Sequence, residues 1–410
     1  MDNGAPGGRK RDDGAWDDNA FAGTALVDHH CHGIVRTDLD RRDFELLITE
    51  SSDPAPPSTS FFDSQLGLSL RRWCPPLIDL APHAAPEDYL ERRRELGAAE
   101  VSSRLLRAAG VSDFLIDTGY LPADLTSPVE LARAADARAH SVVRLEQVAE
   151  DFAAAGVAAG EFAARYGEVL ASAAASAVAV KSIAAYRHGL DLDPQRPDRA
   201  DVARAAAVWL SEADGAVTSE AGAAEAAAHE VRPRLRSPVL LRFLLWSAID
   251  LGLPIQIHTG FGDRDLALQR SNPLLLTGFI RAAQSAGVPL LLLHCYPYHR
   301  EAGYLAQIYP HVYCDVGLTL NFTGARAHAV LAESLELAPF AKTLYSSDAF
   351  GLPELHYLGA VVFRRAMARV VGGWLRDGML TAHDARRIGA AIGAGNARRV
   401  YGIAAGGRAG

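Results

Sequence analysis

Eight short apolar runs recur along the chain, separated by longer, largely alanine-rich stretches of helical character. They are "TALVDHH" (24–30), "SDFLIDTGY" (112–120), "HSVVRLE" (140–146), "AVAVKSIAAYR" (177–187), "LPIQIHTGFG" (253–262), "VPLLLLHCYP" (288–297), "HVYCDVGL" (311–318) and "KTLYSSDAF" (342–350). Continuous apolar strands that alternate with helices belong to a parallel sheet covered on both faces. Eight of them predict an α/β fold of the (β/α)8 TIM-barrel type. A doubly wound open sheet is the alternative that the same alternation allows.

The first and second runs are too far apart for a simple βα unit. The intervening "RRDFELLITE", "RRWCPPLIDLAP" and "PEDYLERRREL" mark residues 40–100 as a helical insertion after strand 1. In a barrel that insertion lies on the catalytic face and serves as a lid or substrate wall. A second helical excursion is expected over 198–232, where alanine favours helix and little else. The Gly-, Asp- and Arg-rich ends, 1–20 and 404–410, are expected to be disordered tails around one domain, 21–403.

Net charge is −8 without a basic run, which argues against a nucleic-acid surface. No apolar stretch reaches the length of a membrane span, and the first twenty residues do not read as a signal peptide. The four cysteines (31, 74, 295, 314) lack CxxC spacing. A reduced, cytoplasmic protein acting on a small molecule is the expectation, with no membrane or nucleic-acid partner; a homo-oligomer is compatible with it.

Polar residues recur where the apolar runs end. Strand 1 ends in His30 and His32, strand 4 in Lys181, strand 5 in His258, strand 6 in His294 and strand 8 in Asp348. A barrel brings all of these to one mouth. Imidazole and carboxylate are ligands for a divalent ion, zinc above all, and a catalytic site keeps a position open for water. Any one histidine after an apolar run reads more readily as a packed core residue; the ordered series is what points to a metal. Strand alternation puts His30 and His32 on one face and His29 and Cys31 on the other. The remaining histidines, His356 among them, default to structural positions, and Cys295 to the core.

That order of residues resembles the amidohydrolase superfamily, and more narrowly the amidohydrolase-2 type. "KSIAAYRHGL", "HCYPYHREAGYLA", "YSSDAFGLPELHYLGA" and "GNARRVYGI" are similar to the amidohydrolase-like domain that some proteins carry ahead of a glutamine-synthetase-like domain. The resemblance covers roughly 24–403. It implies one of two metal arrangements. With one ion, His30, His32, His258 and Asp348 are the ligands and His294 polarises the substrate. With two ions, a carboxylated Lys181 bridges them, and His258 and His294 serve the second. Lysine occurs only at 10, 181 and 342, every other residue of its charge class being arginine. Carboxylation needs a neutral primary amine, which arginine cannot supply.

The implied reaction is hydrolysis of an amide or related C–N bond, with Asp348 moving a proton from water to the leaving amine and His294 or the metal steadying the oxyanion. Arg187 is the candidate for a substrate carboxylate, with Arg144 and Tyr298, and then Glu146 and Arg300, behind it. A γ-glutamyl amide is the substrate suggested by the resemblance. A metal-dependent decarboxylase or a uronate-isomerase-like enzyme would use the same ligands, and a non-catalytic binding barrel is the third reading.

Overall fold

The computed structural model describes residues 16–119, 124–217 and 234–405. Most of the expected tails, and residues 218–232 of the expected second excursion, lie outside the described residues; within them that excursion is the helix Arg199–Val217. Seven strands run parallel and pair in chain order: β1 (Leu26–Cys31), β2 (Val111–Asp117), β3 (Arg138–Arg144), β4 (Ala179–Ser182), β5 (Ile255–Thr259), β6 (Leu290–His294) and β7 (Val312–Cys314).

The eighth apolar run joins the two edges of this sheet without becoming a regular strand. Leu344 N–H donates to the Cys314 carbonyl (3.1 Å); on the other side His29 N–H donates to Tyr345 O (3.2 Å) and Asp348 N–H to His30 O (3.0 Å). The ladder is interrupted because Ser347 N–H donates to the Asp28 carboxylate (2.8 Å) instead of to a backbone carbonyl of β1. The barrel is closed all the same, by hydrogen bonds of mixed origin.

Val27, Leu115, Val142, Ala179, Leu291 and Leu344 fill the interior, packed on Ala394, Ala397 and Tyr401 from the C-terminal segment. Asn396 anchors that segment by donating to Phe340 O (2.7 Å) and Thr343 O (2.8 Å). The last helix, Asn396–Tyr401, therefore floors the barrel. Leu115 is fully buried there, and truncating such a residue to alanine costs about 2–5 kcal/mol.

Strand β1 does not alternate as expected. Its register runs from Asp28 opposite Phe114 to Cys31 opposite Ile116. Two residues, His29 and His30, thus span the place of the single Leu115, which is a β-bulge. Both histidines turn into the interior, while Cys31 faces the outer layer with Phe114 and Ile116. The expectation that His29 shares a face with Cys31 is corrected by this extra residue.

Between β1 and β2 lie the helices Arg41–Leu46, Gln65–Trp73, Pro86–Leu96 and Ala98–Ala109. Asp40 and Ser64 cap the first two by accepting from Asp43 N–H (2.8 Å) and Gly67 N–H (3.0 Å). Phe44, Phe62 and Tyr89 form a small core with Ala349, Leu352 and Leu355, which follow Asp348 in the chain. Buried Glu354 fixes the contact, accepting from Arg93 Nε (2.6 Å) and Tyr89 Oη (2.8 Å). Residues 16–20, assigned by composition to a tail, are placed: Trp16 Nε1 donates to Ala368 O (3.2 Å) and Asp18 pairs with Arg369 (2.8 Å). An indole and a carboxylate two residues apart give this segment something to bury and something to pair. No helix among the described residues is long and apolar enough to cross a membrane.

Candidate metal centre at the barrel mouth

Six strand-end residues named from the sequence converge. His30 Nε2 lies 3.1 Å from Asp348 Oδ1, His32 Nε2 lies 3.4 Å from the same oxygen, and His294 Nε2 lies 3.5 Å from Asp348 Oδ2. The His258 ring stands 4.6 Å from that of His294, and Lys181 Nζ is 3.1 Å from His30 Nε2. Asp348 (φ 49°) and His294 (φ 66°) both occupy the left-handed backbone region. Such a conformation costs about 1–3 kcal/mol for a residue with a side chain, and the surrounding bonds must hold it. Those bonds are His30 O on Asp348 N–H and the Asp315 carboxylate on His294 N–H (2.7 Å).

Burial brings the His30 imidazole down to about 3, with the Lys181 ammonium adding to the push. His258 and His294 are lowered by the same desolvation. Burial alone would raise the Asp348 carboxyl, but His294, His30 and His32 hold it well below the usual carboxylate range. Burial also brings Lys181 down to about 8, against the pull of Asp117 and Asp348.

The donor set suits a divalent ion. His258 Nε2, both ring nitrogens of His294 and His32 Nδ1 are buried without a hydrogen-bond partner among the described residues. Each such atom costs about 1–3 kcal/mol if nothing satisfies it. His30, His294 and Asp348 offer ligand atoms within 4.8 Å of one another, and so do His30, His32 and Asp117. Neutral imidazoles around an ionised carboxylate form the mixed nitrogen–oxygen set that zinc accepts.

A second layer orders the protons. Gln256 Nε2 must donate to the His29 carbonyl (2.6 Å), which can only accept, so Gln256 Oε1 faces His30 Nδ1 (2.8 Å). His30 therefore carries its proton on Nδ1 and leaves Nε2 bare. Gln256 Nε2 also donates to Tyr401 Oη (2.9 Å). His29 Nε2 faces the Asp315 carboxylate (2.7 Å). Burial opposes the charge on Asp315, but His29 and His294 hold its carboxyl well below the ordinary range.

His29, Gln256, Asp315 and Tyr401 were not singled out from the sequence as part of the site. Neither were Asp117, Tyr186 (4.5 Å, ring to ring, from His258) or Glu50, a half-buried residue pushed up to about 8 by burial and by the Asp348 and Asp263 carboxylates. A buried Gln inside the apolar "PIQIH" and an Asp closing "FLID" were the available signals.

The substrate-binding candidates are placed differently. Arg187 pairs with Glu150 (3.0 Å), so a carboxylate of the chain itself takes the part assigned to substrate. Arg144 donates to Asp117 Oδ2 (2.6 Å) and orients that carboxylate at the edge of the site. Tyr298 Oη donates to Leu268 O (3.2 Å), and Arg300 pairs with Glu336 (2.9 Å). Glu146 is buried, accepting from Ser182 Oγ (2.7 Å) and Ile183 N–H (3.0 Å). Each pairing is tertiary, formed by residues far from the strand-end pattern.

A closed parallel barrel with a donor set for a divalent ion at its strand ends defines a metal-dependent barrel enzyme. The chain belongs to the amidohydrolase family, whose sequence profile matches residues 128–403. It is 35% identical over 236 residues to Protein fluG of Emericella nidulans, a match covering 55% of this chain and 25% of that protein. The chain thus matches about a quarter of that curated relative's length. A Lactobacillus casei protein assigned as a metal-dependent hydrolase superposes with a TM-score of 0.78 at 27% identity, over 94% of this chain and 97% of that one. A uronate isomerase from Bacillus halodurans shares the fold, with a TM-score of 0.60 at 12% identity, over 94% and 95%.

Proposed function

We propose that the chain hydrolyses an amide or other C–N bond of a small molecule at the centre formed by His30, His32, His258, His294 and Asp348. The observation that carries this reading is the ionised Asp348 carboxylate ringed by imidazoles whose ring nitrogens are in part buried and unpartnered. His30, His32, His258 and Asp348 would hold the ion. Bound there, a divalent metal supplies Lewis acidity that polarises a carbonyl and acidifies water. Asp348 Oδ2, turned away from His30 and His32, takes a proton from the attacking water and returns it to the leaving amine. His294 Nε2, beside that oxygen, steadies the charge that develops on the substrate carbonyl. Lys181, whose Nζ lies 3.1 Å from His30 Nε2, would either bridge a second ion as a carbamate or meet substrate directly.

The segment 40–100 would wall the mouth. Its Leu47 lies against Gly351, three residues past Asp348, and Glu50 feels the charge of Asp348. Exchanging this segment should change substrate preference while leaving metal content intact.

The γ-glutamyl amide reading rests on the resemblance of the strand-end segments to the amidohydrolase-like domain carried ahead of a glutamine-synthetase-like domain, and not on Arg187 or Arg144, both of which have internal partners. The deciding experiment supplies the metal-loaded protein with γ-glutamyl and neutral acyl amides and measures amine release. Carbon dioxide release from an acid, or aldose–ketose conversion of a uronate, in the absence of amine release would replace hydrolysis with the lyase or isomerase reading.

A further inference from the structure

Behind the bulge of β1, on the face away from the mouth, the carboxylate of Asp28, the thiol of Cys31 and the imidazole of His356 come together. All three are fully buried, and their ligand atoms lie within 4.8 Å of one another. Among the described residues neither ring nitrogen of His356 has a hydrogen-bond partner of good geometry, the His32 backbone being a weak contact only, and Nδ1 lies 3.9 Å from Asp28 Oδ2. Asp28 accepts from Ser347 N–H and Ser347 Oγ, and the basic group it faces is His356. Among the described residues, Cys31 makes one long hydrogen-bond contact, 3.7 Å from Sγ to Leu115 O. A buried carboxylate without a full cation and a buried imidazole without a partner are each costly by themselves.

We propose that Asp28, Cys31 and His356 supply three ligands of a second, buried divalent-metal site, with a water completing the tetrahedron. Oxygen, sulfur and nitrogen are the three donors such sites combine. Tetrahedral bond lengths put ligand atoms about 3.3–3.8 Å apart. The Asp28–His356 separation is already near that range, and the cluster needs to contract by no more than about an ångström. On binding, the Cys31 thiol gives its proton to solvent. The carboxylate and thiolate then neutralise the ion, leaving no net charge in the layer. The Ser347 hydroxyl orients Asp28 from behind, as second-layer donors do for metal-binding carboxylates. The site joins β1, the run before Asp348 and the helix Pro353–Arg376, the elements that hold the mouth residues. With all three ligands closed to solvent, it is loaded as the barrel closes and releases its ion on unfolding.

The site does not depend on the hydrolase reading, since no cysteine belongs to the mouth. Cobalt is the probe: full-length protein produced in cobalt-supplemented medium is examined for thiolate-to-cobalt charge transfer in the near ultraviolet. The band is expected in the wild type. It should survive His30→Ala, which empties the mouth, and vanish in Cys31→Ser with loss of one equivalent of metal per chain. His356→Gln should likewise lose that equivalent. A wild-type protein that carries cobalt without the thiolate band, or variants at Cys31 and His356 with unchanged metal content, would show a buried water only and overturn the site. The wild-type spectrum decides the matter even if the variants fail to fold.

Discussion

Tyr401 and His29 stand 372 positions apart in the chain and meet at 2.9 Å inside the barrel, Tyr401 Oη donating to His29 Nδ1. The phenol oxygen in turn accepts from Gln256, whose other end accepts from His30. One hydroxyl thereby stabilises the orientation of the amide that decides which His30 nitrogen is bare. Tyr401→Phe is expected to weaken metal binding at the mouth by about 10-fold. Competition with a chelator measures it, alongside a thermal melt to confirm the fold. Affinity equal to wild type would remove Tyr401 from the site.

His30→Ala removes a proposed ligand, whereas Asp348→Asn keeps the shape of the side chain and removes its charge and proton acceptor. His30→Ala should abolish detectable turnover, and far-ultraviolet circular dichroism should be unchanged in both variants. Asp348→Asn should depress kcat by about 10²–10⁴-fold. Full activity in either variant, with metal shown to be absent, would dismiss the centre.

Lys181→Arg separates the two roles left open for this lysine. As a carbamate bridge, Lys181 cannot be replaced by Arg, so the variant loses metal as well as activity, and Lys181→Ala recovers part of both with a short-chain carboxylate added. As a substrate contact, it tolerates Arg with metal retained, a raised KM and a partly spared kcat. Two ions per chain in active wild-type protein support the bridge; a single ion with full activity eliminates it.

Far from the mouth, at the start of β2, Asp113 gives the fold a pH signature. Burial opposes its charge, but hydrogen bonds from His140, Arg138 and Ser112 outweigh burial and hold its carboxyl at about 2, below the usual 3.8. A lowered carboxyl stabilises the fold fully above its ordinary value and ceases to do so as pH falls through the folded one. Wild-type stability should therefore drop between about pH 4 and pH 2. The gap between wild type and Asp113→Asn in denaturant unfolding should close over the same window. A constant gap would place the effect of Asp113 in packing.

The fold and the inner ring of the site could be read from the chain because both follow a period. Apolar runs ending in His30, His258, His294 and Asp348 need only a parallel barrel to meet. The bulge could not be read, because nothing in "LVDHHC" marks one residue as extra, and a single added residue reverses the direction of those after it. Tyr401 and Asp315 escaped because their roles come from pairings across the barrel. Arg187 looked available for substrate because its partner, Glu150, sits 37 positions away on another element.

The floor of the barrel has a consequence for how the protein is made. A ribosome that has just finished β1 has produced His29 and His30 but neither the amide nor the phenol that orders their protons. Gln256 arrives 226 residues after His30, and Tyr401 a further 145 residues on. Until residues 396–401 dock, Gln256 lacks its Tyr401 partner, and the His30 proton would be freer to exchange between ring nitrogens. Readiness of the candidate site to take up metal would thus await docking of residues 396–401, and a product truncated before residue 396 is expected to display the histidines without that competence.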